Sequence, residues 1–591
     1  MDYYGFYTGT EFEAHKYLGA HLTEDGVVFR VFAPAAAKIT VMGDFNDWNE
    51  TELNRVYNGQ FFEVIINDAK PGMIYKYKIY KHDGSATEHC DPYGYGMELR
   101  PKWGSVIRDM RSYTFKDSKW MNSRTDCKNK PLNIYEFHMG SFARNEGEDW
   151  FNYREVADKI IKYAKEHKYN YLEMMPISEH PCDESWGYQN TGFYAPTSRY
   201  GTADDLKYFI DKCHQNNIGV ILDFVPVHFA VDDYALARFD GTFLYEYPHE
   251  SVGVSEWGSC NFIHSRGEVK SFLQSCANYW ISEYHFDGLR MDAISRIIYW
   301  QGDENRGVNN QAVDFIKNMN GWLKKQNPSI ILAAEDSTNY EGVTKSVEDG
   351  GLGFDYKWDM GWMNDTLNYF RTAPEYRTEN YHKLTFSMMY YYNEKYLLPL
   401  SHDEVVHGKA TIIQKMYGEY EEKFPQARAF YMYMYMHPGK KLNFMGNEIA
   451  QFREWDEKRE PDYDILKYPI HDAFNRYIKE LNNIYMKNNA LSQLDFDEDG
   501  FEWIDCHQEE RCIYAIKRKS DKNQVIAIFN FSNRMQQGYR FKTDKKKLKV
   551  ILNSEDSQYA GSDTRNIIEY KADADGMVMI DMLPYSGVML A

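Results

Sequence analysis

The sequence has no surplus of positive charge: 88 of its 591 residues are acidic and 68 basic, a net charge of −20. That balance repels polyanions, so nucleic acid and anionic membrane surfaces are excluded as natural partners and a neutral ligand is expected. No segment reaches the roughly 18 apolar residues of a membrane span. The opening MDYYGFYTGTEFEAH holds neither the basic nor the apolar block of a secretion signal, so a soluble, cytoplasmic protein is expected. Eight cysteines are scattered at 90, 127, 182, 213, 260, 276, 506 and 512. They lack C-x-x-C or metal-ligand spacing in a chain too large to need disulfide staples, which points to reduced thiols. Internal repeats and low-complexity segments are absent as well.

What is present is length and aromatic content. A chain of 591 residues exceeds one hydrophobic core, so roughly two to four domains are expected. Aromatics reach 16% of residues, enough for stacking surfaces as well as core. Residues 1–115 carry short apolar runs broken by Gly, Pro and Asn, such as GVVFRVFAP and KITVMGDFNDWN, the pattern of an antiparallel β-sandwich. Over 116–488 short apolar strands alternate with amphipathic stretches such as YREVADKIIKYAKEHK, the pattern of βα units. Strands are predicted at 134–138, 171–175, 220–224, 288–292, 330–334, 353–357, 397–400 and 441–444, and eight such units close a (β/α)8 TIM barrel. A long irregular excursion, 227–266, follows the third strand, and excursions of that length usually carry function. Residues 489–591 return to short alternating strands and form a second β-sandwich.

The run GLRMDA, 288–293, places two opposite charges in a strand that should be buried. Arg290 and Asp292 are two residues apart and share a face. An isolated pair of this kind most often only holds structure. Here three carboxylates fall at or just past predicted strand ends: Asp292 after the fourth, Glu335 after the fifth and Asp403 after the seventh. Asp223 ends the third, with His228 shortly beyond. Barrel enzymes build their sites at this end. Convergent carboxylates without metal-ligand histidines suit glycosidic bond chemistry, in which one attacks and another transfers the proton. Arg290 is expected to keep Asp292 ionised, and the apolar flank of Glu335 in LAAED to keep that group protonated.

The motifs ILDFVPVH, GLRMDA, AAEDS and PLSHDE, in this order, resemble the α-amylase superfamily of glycosidases. ISEHPCDESWGYQNTGFYAPTSRYGT, GGLGFDYKWDMGWMNDTL and PGKKLNFMGNE are similar to its 1,4-α-glucan branching group, and the likeness covers nearly the whole chain. The resemblance implies that Asp292 is the nucleophile, Glu335 the general acid/base and Asp403 the transition-state stabiliser. It implies that Tyr188, Asp223, His228, Arg290 and His402 hold the donor-side sugar, that Trp186 also binds substrate, and that no cofactor and no metal is required. The implied reaction cleaves an α-1,4 linkage of a linear glucan and moves the chain to a 6-hydroxyl in glycogen biosynthesis. The implied partner is an α-1,4-glucan polymer such as glycogen or amylose, with the protein a monomer or weak homo-oligomer. The rivals are a hydrolase or debranching enzyme on the same barrel, and a non-catalytic glucan-binding protein. Val227 stands where many relatives carry glycine, and PDYDILKYP (461–469) replaces a common Leu-Asp-Trp run; both bear on acceptor contacts and chain-length preference.

Other residues have plainer readings. Trp48 suits either a sugar platform or sandwich packing. His167, His214 and His285 lie on helical patterns without partners, and YMYMYMHPGK belongs to an apolar helix against the barrel.

Overall fold

Strands buried on both faces need near-continuous apolar runs, and a parallel barrel is where such strands belong. The computed structural model describes residues 1–145 and 150–591. Among these, eight parallel strands close into a barrel: β1 (Asn133–Phe137), β2 (Tyr171–Met174), β3 (Gly219–Phe224), β4 (Gly288–Met291), β5 (Ile331–Ala334), β6 (Tyr356–Trp358), β7 (Tyr396–Leu400) and β8 (Lys440–Phe444). Closure is made by β8 beside β1, with Ile134 opposite Leu442. The sixth strand starts later than expected. Gly353 is left-handed, with φ 78°, which breaks an extended run before Tyr356.

Period-two alternation sorts the barrel interior into layers. Ile134, Tyr171, Ile221, Ile331, Tyr356, Leu397 and Leu442 form a buried apolar plug. Two residues further along the first three strands, the same face carries Glu136, Glu173 and Asp223, and β4 adds Arg290. The register sets Glu136 opposite Glu173 and Asp223 opposite Arg290. The charged layer thus rests on a dry floor.

Outer helices include α1 (Tyr153–His167), α2 (Ala203–Gln215), α3 (Gly267–Tyr284), α4 (Asn310–Gln326), α5 (Met360–Arg371), α6 (Tyr420–Met436) and α7 (Pro469–Lys487). Capping boxes at Asn152/Glu155 and Thr202/Asp205 start α1 and α2. The return from β5 to β6, 335–355, contains no helix among the described residues. The N-terminal part holds two antiparallel sheets, one with Gly26–Phe32 inside it and one with Lys38–Gly43, and the C-terminal part a six-stranded and a two-stranded sheet. No helix among the described residues is long and apolar enough to cross a membrane.

The histidines read as partnerless are not so. His214 on α2 joins Asp117 and Asp287, each at 2.8 Å, and His285 reaches Asp117 at 2.8 Å. Burial lowers the His214 pKa, but Asp287 and Asp117 outweigh it and hold the ring charged up to about 9. His167 meets the Tyr163 carbonyl and Asn475. These are structural bonds, and Asp117, Asp287 and Asn475 come from distant segments that helical periodicity cannot reveal.

The barrel is tied to the C-terminal sheets through a fully buried carboxylate. Asp495 accepts from Lys440 Nζ of β8 at 2.9 Å and from Arg518 Nη2 at 2.7 Å, with all three side chains at 0% exposure. Asp495→Ala leaves two cations buried without a counter-charge, so denaturant unfolding should show a loss of about 3–5 kcal/mol. A change below about 1 kcal/mol would mean that these cations regain solvent or other partners.

Candidate active site

β3, β4 and β5 bring their polar ends to one guanidinium. Arg290 is buried, at 1% exposure. Its Nη1 donates to Asp223 at 2.6 and 2.5 Å and to Asp292 Oδ1 at 3.0 Å, while Nη2 donates to Glu335 Oε2 at 2.8 Å. The guanidinium carbon lies 4.4 Å from the centre of the Trp358 ring, a cation–π contact that supports the charge from below. Just past Asp292, Ala293 adopts a left-handed backbone with φ 49°, and its N–H donates to Glu335 Oε2 at 3.0 Å. Such backbone conformations cost energy and gather at functional sites.

Two loops complete the cluster. The short hairpin pairing Ser178–Glu179 with Gly192–Pro196 carries Trp186 and Tyr188. Its turn requires Gly187: φ is 88°, and a Cβ there would lie 2.3 Å from the Pro176 carbonyl oxygen. The turn delivers the Tyr188 hydroxyl to Asp223 Oδ2 at 2.5 Å and to within 3.3 Å of His402 Nε2. Trp186 stacks on His407 at 5.2 Å and donates through Nε1 to Glu457 at 3.3 Å. After β7, His402 is buried while the Asp403 side chain is 47% exposed, its Oδ1 3.6 Å from His402 Nε2. His228, on the short strand His228–Phe229 after β3, is buried, with its ring 5.3 Å from Trp257 and its Nδ1 unpartnered. Burial lowers its pKa to about 4.

Charge is distributed unevenly. His402 donates to Glu136, from Nδ1 at 2.5 Å and from its backbone N–H at 3.2 Å. Burial lowers its pKa, but Glu136 and Asp403 raise it further, to about 9, so the ring is a second cation. Asp403 is raised by desolvation, yet His402, Lys409, Arg290 and His407 together hold it below the usual carboxylate range. Asp292 departs from expectation. Burial pushes it well above the usual range, Arg290 opposes that, and Glu335 and Asp223 reinforce it. One guanidinium shared among three carboxylates does not offset the burial of Asp292. Nor does Glu335 stand in an apolar niche, since its carboxylate accepts from Arg290 and from Ala293.

Three members of this network escaped the sequence reading: Glu136, Glu173 and Trp358. Glu173 is buried, and neither carboxylate oxygen has a hydrogen-bond partner. Both glutamates interrupt apolar strand runs, NIYEF and YLEM, which is the signal that made GLRMDA stand out. Trp358 gave no such signal, because an aromatic in a strand reads as core. Among the described residues, no group of three or more His, Cys, Asp or Glu side chains is placed to hold a metal ion.

Family comparisons agree with this architecture. Residues 17–94 match the family model for carbohydrate-binding module 48 (isoamylase N-terminal domain), 137–239 the alpha amylase catalytic domain, and 503–591 the alpha amylase C-terminal all-beta domain. The same fold recurs in a putative alpha amylase from Salmonella typhimurium, with a TM-score of 0.73 at 18% identity over 97% of this chain and 99% of that one. A pullulanase from Bacillus acidopullulyticus gives a TM-score of 0.74 at 15% identity, over 97% of this chain and 74% of that one. The class is therefore that of the α-amylase barrels. Within it, the chain is 43% identical to a 1,4-alpha-glucan branching enzyme GlgB from Fusobacterium nucleatum, over 97% of this chain and 94% of the relative. It is 41% identical to one from Geobacillus stearothermophilus, over 95% and 90%. The chain belongs to the 1,4-alpha-glucan branching enzyme GlgB family.

Glu173 faces Glu136, Asp223, Arg290 and His402, and burial followed by the Glu136 charge raises its pKa well above the usual carboxylate range. A carboxyl that keeps its proton folded and loses it unfolded destabilises the protein increasingly as pH rises above its unfolded pKa. Glu173→Gln removes that loss, so its stability relative to the parent should increase in denaturant titrations as pH rises above the ordinary glutamate pKa of about 4.3. A pH-independent difference would show that Glu173 is ionised in the fold.

Proposed function

We propose that the protein is a 1,4-α-glucan branching enzyme of glycogen biosynthesis, acting through a retaining double displacement. Two observations carry this reading: family membership over nearly the whole chain, and the attachment of Asp292 and Glu335 to one guanidinium. Two carboxyls bonded to one guanidinium lie close together, as the short-gap geometry of retaining enzymes requires.

In the first step the Asp292 carboxylate attacks the anomeric carbon. The bond to the leaving oxygen breaks as Glu335 donates its proton, and the chain is held as a covalent ester on Asp292. For this step Glu335 must carry the proton and Asp292 must be ionised, and Arg290 bonds both carboxyls. In the second step a 6-hydroxyl of another chain gives its proton to Glu335 and displaces Asp292, which forms the α-1,6 linkage with retained configuration. Asp403, ionised beside the His402 cation, stabilises positive charge developing on the ring. Tyr188, Asp223, His228, Arg290 and His402 hold the donor sugar, and Trp186 also binds substrate.

A hydrolase would share the first step and use water in the second. A non-catalytic glucan-binding protein would have no use for three carboxylates around a buried arginine. With amylose as substrate, iodine colour should fall while reducing ends stay nearly constant, and proton NMR should show new α-1,6 linkages. Reducing ends rising in step with the loss of colour would identify a hydrolase instead.

A further inference from the structure

A groove of about 1300 Å³ opens beside β5, β6 and β7, where the helix-free return 335–355 leaves the barrel wall uncovered. Asp292, Glu335, Asp403 and Arg290 do not line it, and Trp358, whose ring backs the Arg290 guanidinium, is the member of that network that does. Its size exceeds the pocket of a typical small ligand and suits an oligomer.

Two kinds of surface meet in it. Phe386 is 55% exposed at the lip, with its ring 5.8 Å from Tyr390, and Tyr392 lies nearby. The Phe386 ring is thus open at the lip, where a flat apolar surface can stack on it. Below them Asp359 is 1% exposed: its Oδ1 accepts from the Trp362 N–H and the Tyr390 hydroxyl, both at 2.8 Å. Its Oδ2 has no partner, nor does the Tyr392 hydroxyl. Buried polar atoms without partners call for an explanation, and a hydroxyl-bearing ligand or a water supplies the missing bonds.

Charge narrows the ligand. Six carboxylates and four lysines line the groove. Of the lysines, Lys357 is bonded to Asp336 at 2.9 Å and Lys395 to the Thr344 carbonyl at 2.8 Å. A phosphate or another anion would meet excess negative charge. What fits is a neutral polymer with apolar C–H faces to stack and hydroxyls to donate.

We propose that this groove is a second glucan site, in which Phe386 and Tyr392 stack against sugar rings while Asp359 Oδ2 accepts from a hydroxyl. The site holds a length of α-1,4-glucan outside the catalytic cluster. The identity of the polymer rests on the branching function proposed above.

The test uses the full chain carrying Phe386→Ala and Tyr392→Ala together. Retardation in native gels containing amylose should weaken about tenfold, while turnover of a short maltodextrin donor is unaffected. In the parent, maltoheptaose should slow hydrogen exchange of the 386–396 backbone, and that protection should vanish in the double variant. Unchanged retardation, or no protection at 386–396 in the parent, overturns the site. Amylose left unbranched by a parent that still shows the protection overturns the function and spares the site. Branching intact with neither signature overturns the site and spares the function.

Discussion

Arg290 is the interaction on which the active centre depends. Carboxylates at the top of β3, β4 and β5 could not converge in a water-poor barrel without a cation among them, and this guanidinium bonds Asp223, Asp292 and Glu335 at once. Its planar fork is what permits this, since a lysine ammonium is a point charge without fixed directions. The charge is nevertheless outnumbered. The excess appears as upward pKa shifts at Asp292, Asp223 and Glu173, each caused first by burial.

The rest of the molecule can be understood as support for that charge. Period-two alternation puts an apolar plug under the charged layer, and Trp358 lies against the guanidinium where water would otherwise screen it. Outside the barrel, the turn at Gly187 delivers Tyr188, and the segment after β7 delivers His402 and Asp403. On the N-terminal sheets Trp48 is 41% exposed and donates to Asp44 Oδ1 at 3.1 Å, so it presents a face to solvent and is not packed into the sandwich. That segment lies within the stretch matching carbohydrate-binding module 48.

Much of this was legible in the sequence. Apolar strand runs placed all eight barrel strands, with a displacement at the sixth, where Gly353 turns the backbone before Tyr356. Strand-end counting brought Asp223, Arg290, Asp292 and Glu335 together, because barrel geometry sends strand ends to one rim. The charge balance was not legible. It depends on how many carboxylates share one cation and how deeply each is buried, and Glu136 and Glu173 enter only once the register is known. Loop-borne partners were equally hidden: Trp186 meets His407, and His214 meets Asp117, across long chain separations that periodicity does not encode.

The central claim is that Asp292 and Glu335, held by one arginine, divide attack from proton transfer. Intact-mass spectrometry on folded Glu335→Gln protein treated with an α-glucosyl fluoride tests it directly, because departing fluoride needs little protonation. A glycosyl adduct should form on Asp292 although the variant no longer turns over glucan, and Asp292→Asn should form none with either donor. Equal loss of the adduct with fluoride and with glucan in the Glu335→Gln protein would contradict the division of roles.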